Sequence, residues 1–478
     1  MHRGTLELSM TVWYTAIAVL TTGLAFGSAL HALLNVRDPS SALGWIAVCL
    51  LVPILGPVLY VLFGINRIHT RARRLGLTEK HLPAVGRSPP LPESVPGPLR
   101  QQARLTGSLQ QWPLTEDNAV TELHDGDQAY PAMLEAIGEA RVRVCLSSYI
   151  FNADAAGRRF VDALAAAAER GADVRVLVDG VGEFYGWPRV SKLLRRRGVR
   201  VERFGPPSLI PPSLQLNLRN HRKILTVDGR VGFTGGMNIA AGNISAGDGG
   251  SHAIRDIHFR FEGPVARQLD HAFFEDWEQA TGEPSPGLLD PVAGDGGALC
   301  RAVTDGPGRD LFKLAAIFIG AVSLARRRIT IVTPYFLPPR PLTGALVAAA
   351  LRGVDVTVIL PERNNQPVAH WANRNMLWEL LTWGVKCYYQ PGPFPHTKLF
   401  LVDHHYAVVG SANMDPRSLR LNFELGVEIY EPELTRQLSD HCDEIRARSR
   451  EVTLDEINAR SLPVQIRDSI AWLFTPYL

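Results

Sequence analysis

No Asp, Glu, Lys or Arg occurs between Glu7 and Arg37, and none between Asp38 and Arg67. Each gap exceeds the roughly 20 apolar residues that a helix needs to cross a bilayer. Charge-free runs of that length argue against a buried helical hairpin of a soluble protein. Cysteine is scarce too. The five cysteines are odd in number, scattered, and form no C-x-x-C, which argues against a disulfide framework and against a cysteine zinc site. Nor is there an excess of charge of one sign. Fifty Lys and Arg against 47 Asp and Glu leave +3 over 478 residues, so a uniformly basic nucleic-acid binder is excluded. A 46% apolar share excludes a wholly disordered chain.

The two uncharged runs predict a transmembrane hairpin over residues 1–66, with spans at about 10–33 and 42–65. Arg37-Asp38-Pro39-Ser40 supplies turn chemistry between them, and membrane helices tolerate Pro53 and Pro57 better than soluble ones. A cleaved signal peptide is the dull alternative, since Arg3 precedes an apolar run that contains Ala29-Leu30-His31-Ala32. The weakly basic start, Glu7 and the second full-length run favour a retained hairpin. Residues 65–104 carry eight basic and two acidic side chains, net +6, which leaves −3 for the rest of the +3 chain. Positive charge stays inside. Both termini and everything beyond residue 66 are therefore expected in the cytoplasm, as a multi-pass protein of the cell membrane. Arg67, Arg71, Arg73 and Arg74 lie close enough to meet anionic headgroups. Residues 67–112 read as a basic, Pro-rich linker, with Pro83, Pro89, Pro90, Pro92, Pro96 and Pro98 closing out helix and strand.

The remainder repeats itself. Arg141 to Phe151 resembles Arg327 to Leu337, each a buried strand ending in a tyrosine, Tyr149 or Tyr335. Ala163 to Asp179 resembles Ala345 to Pro361, each a helix closed by Gly171 or Gly353 and then a strand. This order predicts two pseudo-symmetric α/β halves with parallel strands, at 113–297 and 298–478, and a site where they meet.

Each half then carries the same constellation. His221, Lys223 and Asp228 precede Gly235-Gly236-Met237-Asn238. His396, Lys398 and Asp403 precede Gly410-Ser411-Ala412-Asn413. Histidine-to-lysine, histidine-to-aspartate and histidine-to-asparagine separations are 2, 7 and 17 in both copies. On a strand, His and Lys two apart share a face. Asp228-Gly229 predicts a two-residue hairpin turn that pairs position 221 with 236 and brings Asn238 just past the histidine. Two imidazoles, two lysines and two amides around one point suit a phosphodiester. Lys223, Lys398, Asn238 and Asn413 can hold the non-bridging oxygens. One histidine can attack phosphorus while the other protonates the leaving alkoxide. The lysines supply the positive charge that a metal otherwise would, so no metal and no cofactor are expected.

The doubled H-x-K-x4-D pattern resembles the phospholipase D superfamily over about residues 115–448 and, with the amino-terminal hairpin, its bacterial cardiolipin synthases. Ser411 to Ser418, Leu421 to Glu424, Arg255-Asp256 and Glu262-Gly263-Pro264 add to the likeness. The resemblance implies a duplicated phospholipase D-like α/β fold behind a two-helix transmembrane hairpin. It implies transesterification through a phosphohistidine: one phosphatidylglycerol loses glycerol, and a second takes the phosphatidyl group, giving cardiolipin. Phosphatidylethanolamine is the alternative for one of them. By the same resemblance His221 is the nucleophile and His396 the acid/base. A carboxylate beyond each motif orients that motif's histidine; Asp256 and Glu424 match, 35 and 28 residues after their histidines. Asp228 and Asp403 belong to the catalytic signature, although their place at a strand turn points to a structural part. Hydrolysis to phosphatidic acid, and a nuclease or other phosphodiesterase, are the alternatives. A mildly acidic body is a poor duplex binder, so no nucleic-acid partner is expected.

Other features read more plainly. His404 and His405 look like turn residues. Trp371, Trp378 and Trp383 read as helix core, with a membrane-facing role as the alternative. The Pro- and Leu-rich stretch from Phe204 to Asn220 reads by default as a buried loop, with guidance of acyl chains toward His221 as the alternative. Ile470 to Leu478 is apolar enough to dock on the body or on the membrane.

Overall fold

The computed structural model describes residues 2–36, 38–64, 90–110, 112–206, 208–209, 212–213, 218–244, 253–290, 292–307 and 310–475. Arg67 to Arg87 of the basic linker, Arg37 between the spans, and Ile210, Leu214 and Leu216 of the Pro/Leu-rich loop lie outside these residues. The chain divides into two compact units, Met1–Thr78 and Glu79–Leu478.

In the first unit, helix α1 runs over His2–Asn35. Its stretch Val12–Asn35 is long and apolar enough to cross a membrane. Asp38 then caps helix α2, Pro39–Leu51, by accepting from the Ser41 amide at 2.7 Å. The segment expected as the second span, 42–65, is not one unbroken helix. The helix stops at Leu51, turns through 52–54, and resumes as α3, Leu55–Leu59, and a π-helical turn, Tyr60–Gly64. Pro53 and Pro57 lack the amide hydrogens that would carry one helix through. The returning chain comes so close to α2 that a Cβ on Gly56 would stand 2.3 Å from the Val48 carbonyl oxygen. Ala29 and Ala32 of α1, Cys49 of α2 and Tyr60 pack together, and His31 shares a 2.8 Å hydrogen bond with the Tyr60 hydroxyl.

The second unit is built on one 15-stranded sheet. Its strands are β1 Thr115–His124, β2 Arg143–Ser148, β3 Asp173–Asp179, β4 Arg200–Phe204, β5 Ile224–Val227, β6 Val231–Gly235 and β7 Ile257–Glu262. There follow β8 Ala298–Asp305, β9 Arg328–Val332, β10 Asp355–Pro361, β11 Lys386–Gln390, β12 Leu399–Val402, β13 Tyr406–Gly410, β14 Glu424–Tyr430 and β15 Arg450–Val452. Across the sheet the order is β15-β11-β10-β9-β12-β13-β14-β8-β1-β7-β6-β5-β2-β3-β4. Apart from β15, the order reads the same from either edge to the β8–β1 seam, with each strand matched by its repeat. Helices 125–139, 155–169 and 190–196 recur as 313–324, 340–351 and 367–382.

The sheet is mixed rather than parallel. Only β2-β3-β4 and β9-β10-β11 run parallel. The motif strands β5 and β12 run antiparallel to β2 and β9, and each then turns back through a hairpin into β6 or β13. Separate apolar cores fill the halves, one around Phe160, Leu164 and Phe233, the other around Phe318, Leu346 and Phe400. Trp378 and Trp383 stay about half exposed, so they are not core residues as their helical spacing suggested.

Candidate active site

Each motif strand ends in a tight loop of three residues, Asp228-Gly229-Arg230 or Asp403-His404-His405, one longer than expected. Val227 faces Val231, and Val402 faces Tyr406. Both aspartates adopt positive φ, 53° and 52°, which aspartate tolerates better than most residues. Their carboxylates turn back over the neighbouring strand. Asp228 accepts from the amides of Arg141, Val142 and Arg143 at 2.9, 2.8 and 2.7 Å. Asp403 accepts from Arg326, Arg327 and Arg328 at 2.7, 2.8 and 2.9 Å.

This takes Asp228 and Asp403 out of the reacting group to which the signature assigned them. They sit at the far end of a strand from the histidines, about 20 Å along an extended chain, and they hold backbone. Asp228→Ala is expected to lower unfolding stability by about 2–3 kcal/mol, through stranded amides, with little loss of turnover per folded molecule. A thermal melt and an active-site titration on the same sample test this.

The histidines lie at the opposite end, where the halves exchange segments. The His221 amide donates to Phe423 O at 2.9 Å, and the Phe423 amide to Arg219 O at 2.9 Å. The His396 amide donates to Arg255 O at 2.7 Å, beside a short parallel pairing of Phe394–Pro395 with Ile254–Arg255. Each histidine is thus bonded to the residue just before the carboxylate of the other half. The expected pairing is therefore crossed. His221 Nδ1 meets the Glu424 carboxylate at 3.0–3.1 Å, and His396 Nδ1 meets Asp256 Oδ2 at 2.9 Å. With Nδ1 committed to a carboxylate, Nε2 is the ring nitrogen turned away from that carboxylate in each histidine.

Both lysines are buried and fold back on their own histidine carbonyls, Lys223 at 2.6 Å and Lys398 at 2.5 Å. Lys398 Nζ also lies 3.1–3.2 Å from the His396 ring nitrogens. Burial lowers the Lys223 pKa to about 7 and the Lys398 pKa to about 8, against the pull of Glu424 and Asp256. Burial also lowers the pKa of His221, opposed by Glu424, and burial with the Lys398 charge takes His396 down to about 4. Glu424 is held low, since His221, Lys223 and Ser411 outweigh the upward push of burial. A phosphate anion placed among these groups would oppose the cationic field and favour protonation of both lysines and of His396.

The asparagines differ. Asn238 Oδ1 accepts from the Ile150 amide at 3.0 Å, which leaves its NH2 group as donor for a ligand oxygen. Asn413 Nδ2 donates to Ser418 Oγ at 3.2 Å, and its Oδ1 is buried without a partner. A half-turn of that amide would let Ser418 donate to Oδ1 and present NH2 to a phosphate instead.

Sequence reasoning missed three contributors. Ser411 donates to Glu424 Oε2 at 2.5 Å. At the matching place, Gly236 has no side chain, and a Cβ there would come within 2.6 Å of Asp256 Oδ2. Arg222, the middle residue of the first motif, is buried between Asp276 at 2.9 Å and the Glu424 carbonyl at 3.0 Å. The Tyr149 ring stands edge-on to His221, centroids 5.1 Å apart. A charged residue between two buried strand positions was the available signal for Arg222. Among the described residues, no group of three or more His, Cys, Asp or Glu side chains is placed to hold a metal.

Comparison with known proteins gives one direction. A family described as "Cardiolipin synthase, PLD-like domain" matches residues 133–277 and 318–446. One described as "Phospholipase_D-nuclease N-terminal" matches residues 23–64. The Major cardiolipin synthase ClsA of Bacillus subtilis is 31% identical, with 92% of this chain and 94% of that protein aligned. Cardiolipin synthase A of Pseudomonas putida is 33% identical, over 95% and 96%. Among solved structures, a phosphatidylserine synthase from Haemophilus influenzae superposes with TM-score 0.60 at 17% identity, over 79% of this chain and all of that one. At that identity the likeness speaks for the fold alone.

Proposed function

The chain belongs to the cardiolipin synthase family of phospholipase D-like proteins, and from that premise we propose that it condenses two phosphatidylglycerol molecules into cardiolipin and glycerol. The observation that carries this reading is the pair of crossed histidine–carboxylate contacts with two buried lysines beside them.

Lys223, Lys398 and the asparagine amides bind the non-bridging oxygens of the first lipid's phosphodiester. His221, its Nδ1–H held by Glu424, attacks phosphorus through Nε2. A P–N bond forms and the P–O bond to the headgroup glycerol breaks, while His396 Nε2 delivers its proton to the leaving alkoxide. Glycerol departs. The headgroup hydroxyl of the second phosphatidylglycerol gives its proton to His396 and attacks the phosphohistidine. The P–N bond breaks and cardiolipin leaves with the starting protonation restored. Asp256 stabilises the imidazolium whenever His396 carries the proton. Phosphatidylethanolamine as one substrate would follow the same chemistry.

The amino-terminal unit supplies the membrane association. We read its bent second segment as returning through the bilayer, which places the arginines after residue 66 and the catalytic unit on the cytoplasmic side. The acidic balance outside the basic linker speaks against a nucleic-acid partner.

The test is incubation of the purified full chain with glycerol-labelled phosphatidylglycerol in the presence of chelator. Cardiolipin and glycerol in equal amounts support the proposal; phosphatidic acid as sole lipid product favours hydrolysis. A pH profile adds a second check. Lysine is charged below its pKa, so lowered values of about 7 and about 8 place loss of phosphate-binding charge near neutrality. Between roughly pH 6 and pH 9, kcat/KM should fall on the alkaline side; a steady rise would contradict the lysine assignment.

A further inference from the structure

The last helix, Leu462–Leu473, is amphipathic in the wrong sense for a soluble protein. Its inward side carries Asp468, which is fully buried and clamped by three arginines. Arg374 reaches it at 2.7 and 2.8 Å, Arg460 at 2.7 Å and Arg467 at 3.0 and 3.1 Å. The outward side carries Leu462, Ile466, Ile470 and Leu473, at the three- and four-residue spacings of one helix stripe, each more than half exposed. A surface helix ordinarily turns its apolar stripe to the core. Here the clamp fixes the opposite orientation.

Beside the stripe lies a largely apolar groove of about 630 Å³, whose walls include Leu337, Pro338, Trp378 and Trp472, with Arg420 and the Arg340–Glu379 ion pair, 2.7 Å apart, also lining it. Leu337 follows two residues after Tyr335, and Pro416, also in its wall, follows three after Asn413. The Leu337 amide also donates to the Met414 carbonyl oxygen at 2.7 Å, which ties the groove wall to the residue beside Asn413. On the first half, a separate feature borders the site. Phe184, Tyr185 and Trp187 are exposed by 56, 64 and 83% within one turn. Tyr185 lies 6.2 Å, ring to ring, from Tyr149, which itself abuts His221. Exposed tyrosine and tryptophan beside arginine suit the headgroup boundary of a bilayer, and the Arg189 guanidinium sits 4.2 Å over the Phe184 ring.

We propose that the catalytic unit has its own bilayer-docking face, made by the outward stripe of the C-terminal helix and the Phe184–Trp187 turn, with the adjoining groove taking an acyl chain of a membrane phospholipid. The apolar stripe sinks to the acyl boundary, as interfacial helices do, and Arg420 meets the phosphate level. The face keeps the site mouth on the lipid surface, so a substrate need not leave the bilayer completely. This inference deepens the lipid-transferase reading, and its test is chosen to be read without turnover.

The full chain is reconstituted in vesicles of phosphatidylcholine with a minority of phosphatidylserine, and a nitroxide is attached at Ile470→Cys or, separately, at Trp187→Cys. The five native cysteines are buried, and the unsubstituted chain gives the labelling background. Docking predicts that at both positions oxygen collides with the label several-fold more often than a water-soluble nickel chelate does. Equal collision frequencies at position 470 overturn the proposal, whatever position 187 reports. Strong dipolar broadening at 470 also overturns it, by assigning the stripe to a second copy of the chain. A chain that docks but makes no cardiolipin would refute the transferase reading and leave this one standing.

Discussion

Replacing His221 with alanine is expected to lower phosphatidyl transfer by about 10⁴-fold or more, because the attacking atom is gone and no neighbouring side chain can take its place. Glu424, Lys223 and Tyr149 surround the ring. None of them is a nucleophile positioned at phosphorus: Glu424 is spent on Nδ1, and the lysine is folded back on a carbonyl. His396→Ala should be nearly as damaging with phosphatidylglycerol, whose glycerol leaves as a poor alkoxide unless protonated. The fold should survive both changes. Neither imidazole is part of an apolar core cluster, and each backbone amide keeps its bond across the halves. Cardiolipin formation and thermal melting measured on the same preparations check the prediction. Substantial turnover in either variant would refute a two-histidine mechanism.

The second large effect concerns the carboxylates. Glu424→Gln and Asp256→Asn each keep the shape of the side chain but remove the charge that stabilises an imidazolium. A loss of about 10³–10⁴-fold in kcat is expected for each, by analogy with the orienting aspartate of a histidine-dependent triad. The crossing of the pairs makes the two losses distinguishable. With a phosphatidyl nitrophenyl ester, the leaving group departs without a proton, so release of the first equivalent needs the nucleophile and not the acid. Glu424→Gln should then slow that release strongly, and Asp256→Asn should leave it close to the unsubstituted rate. Pairing within halves predicts the reverse order.

Much of this site was legible from residue spacing. The duplication, the shared face of histidine and lysine, and the glycines before each asparagine all follow from local pattern, because strand alternation and repeat order are local properties. What spacing could not supply was partnership across about 200 residues. Glu424 stands 28 residues after His396 in sequence, yet it serves His221, because the backbone of Phe423 pairs with Arg219 and His221 rather than with its own half. The turn was misjudged by one residue for a similar reason. Asp-Gly alone suggests two loop residues, whereas the three amides that Asp228 must reach, at and just before the start of β2, pull it into a left-handed conformation and lengthen the loop. In the first unit, hydropathy marked an apolar segment but carried no information on continuity; Pro53 and Pro57 decided that. Composition likewise marked the C-terminal helix as apolar without saying which side faced out, and the Asp468 clamp settled its orientation.

The most direct test of the two-histidine account is a burst experiment with the nitrophenyl ester on the His396→Ala chain. The account predicts rapid release of about one equivalent of nitrophenolate per site, followed by arrest, with the phosphatidyl group bound to His221 as an acid-labile phosphoramidate. The same experiment on His221→Ala should give no burst. A burst from His221→Ala with none from His396→Ala would reverse the two roles, and steady turnover by both variants without a covalent adduct would contradict the phosphohistidine mechanism itself.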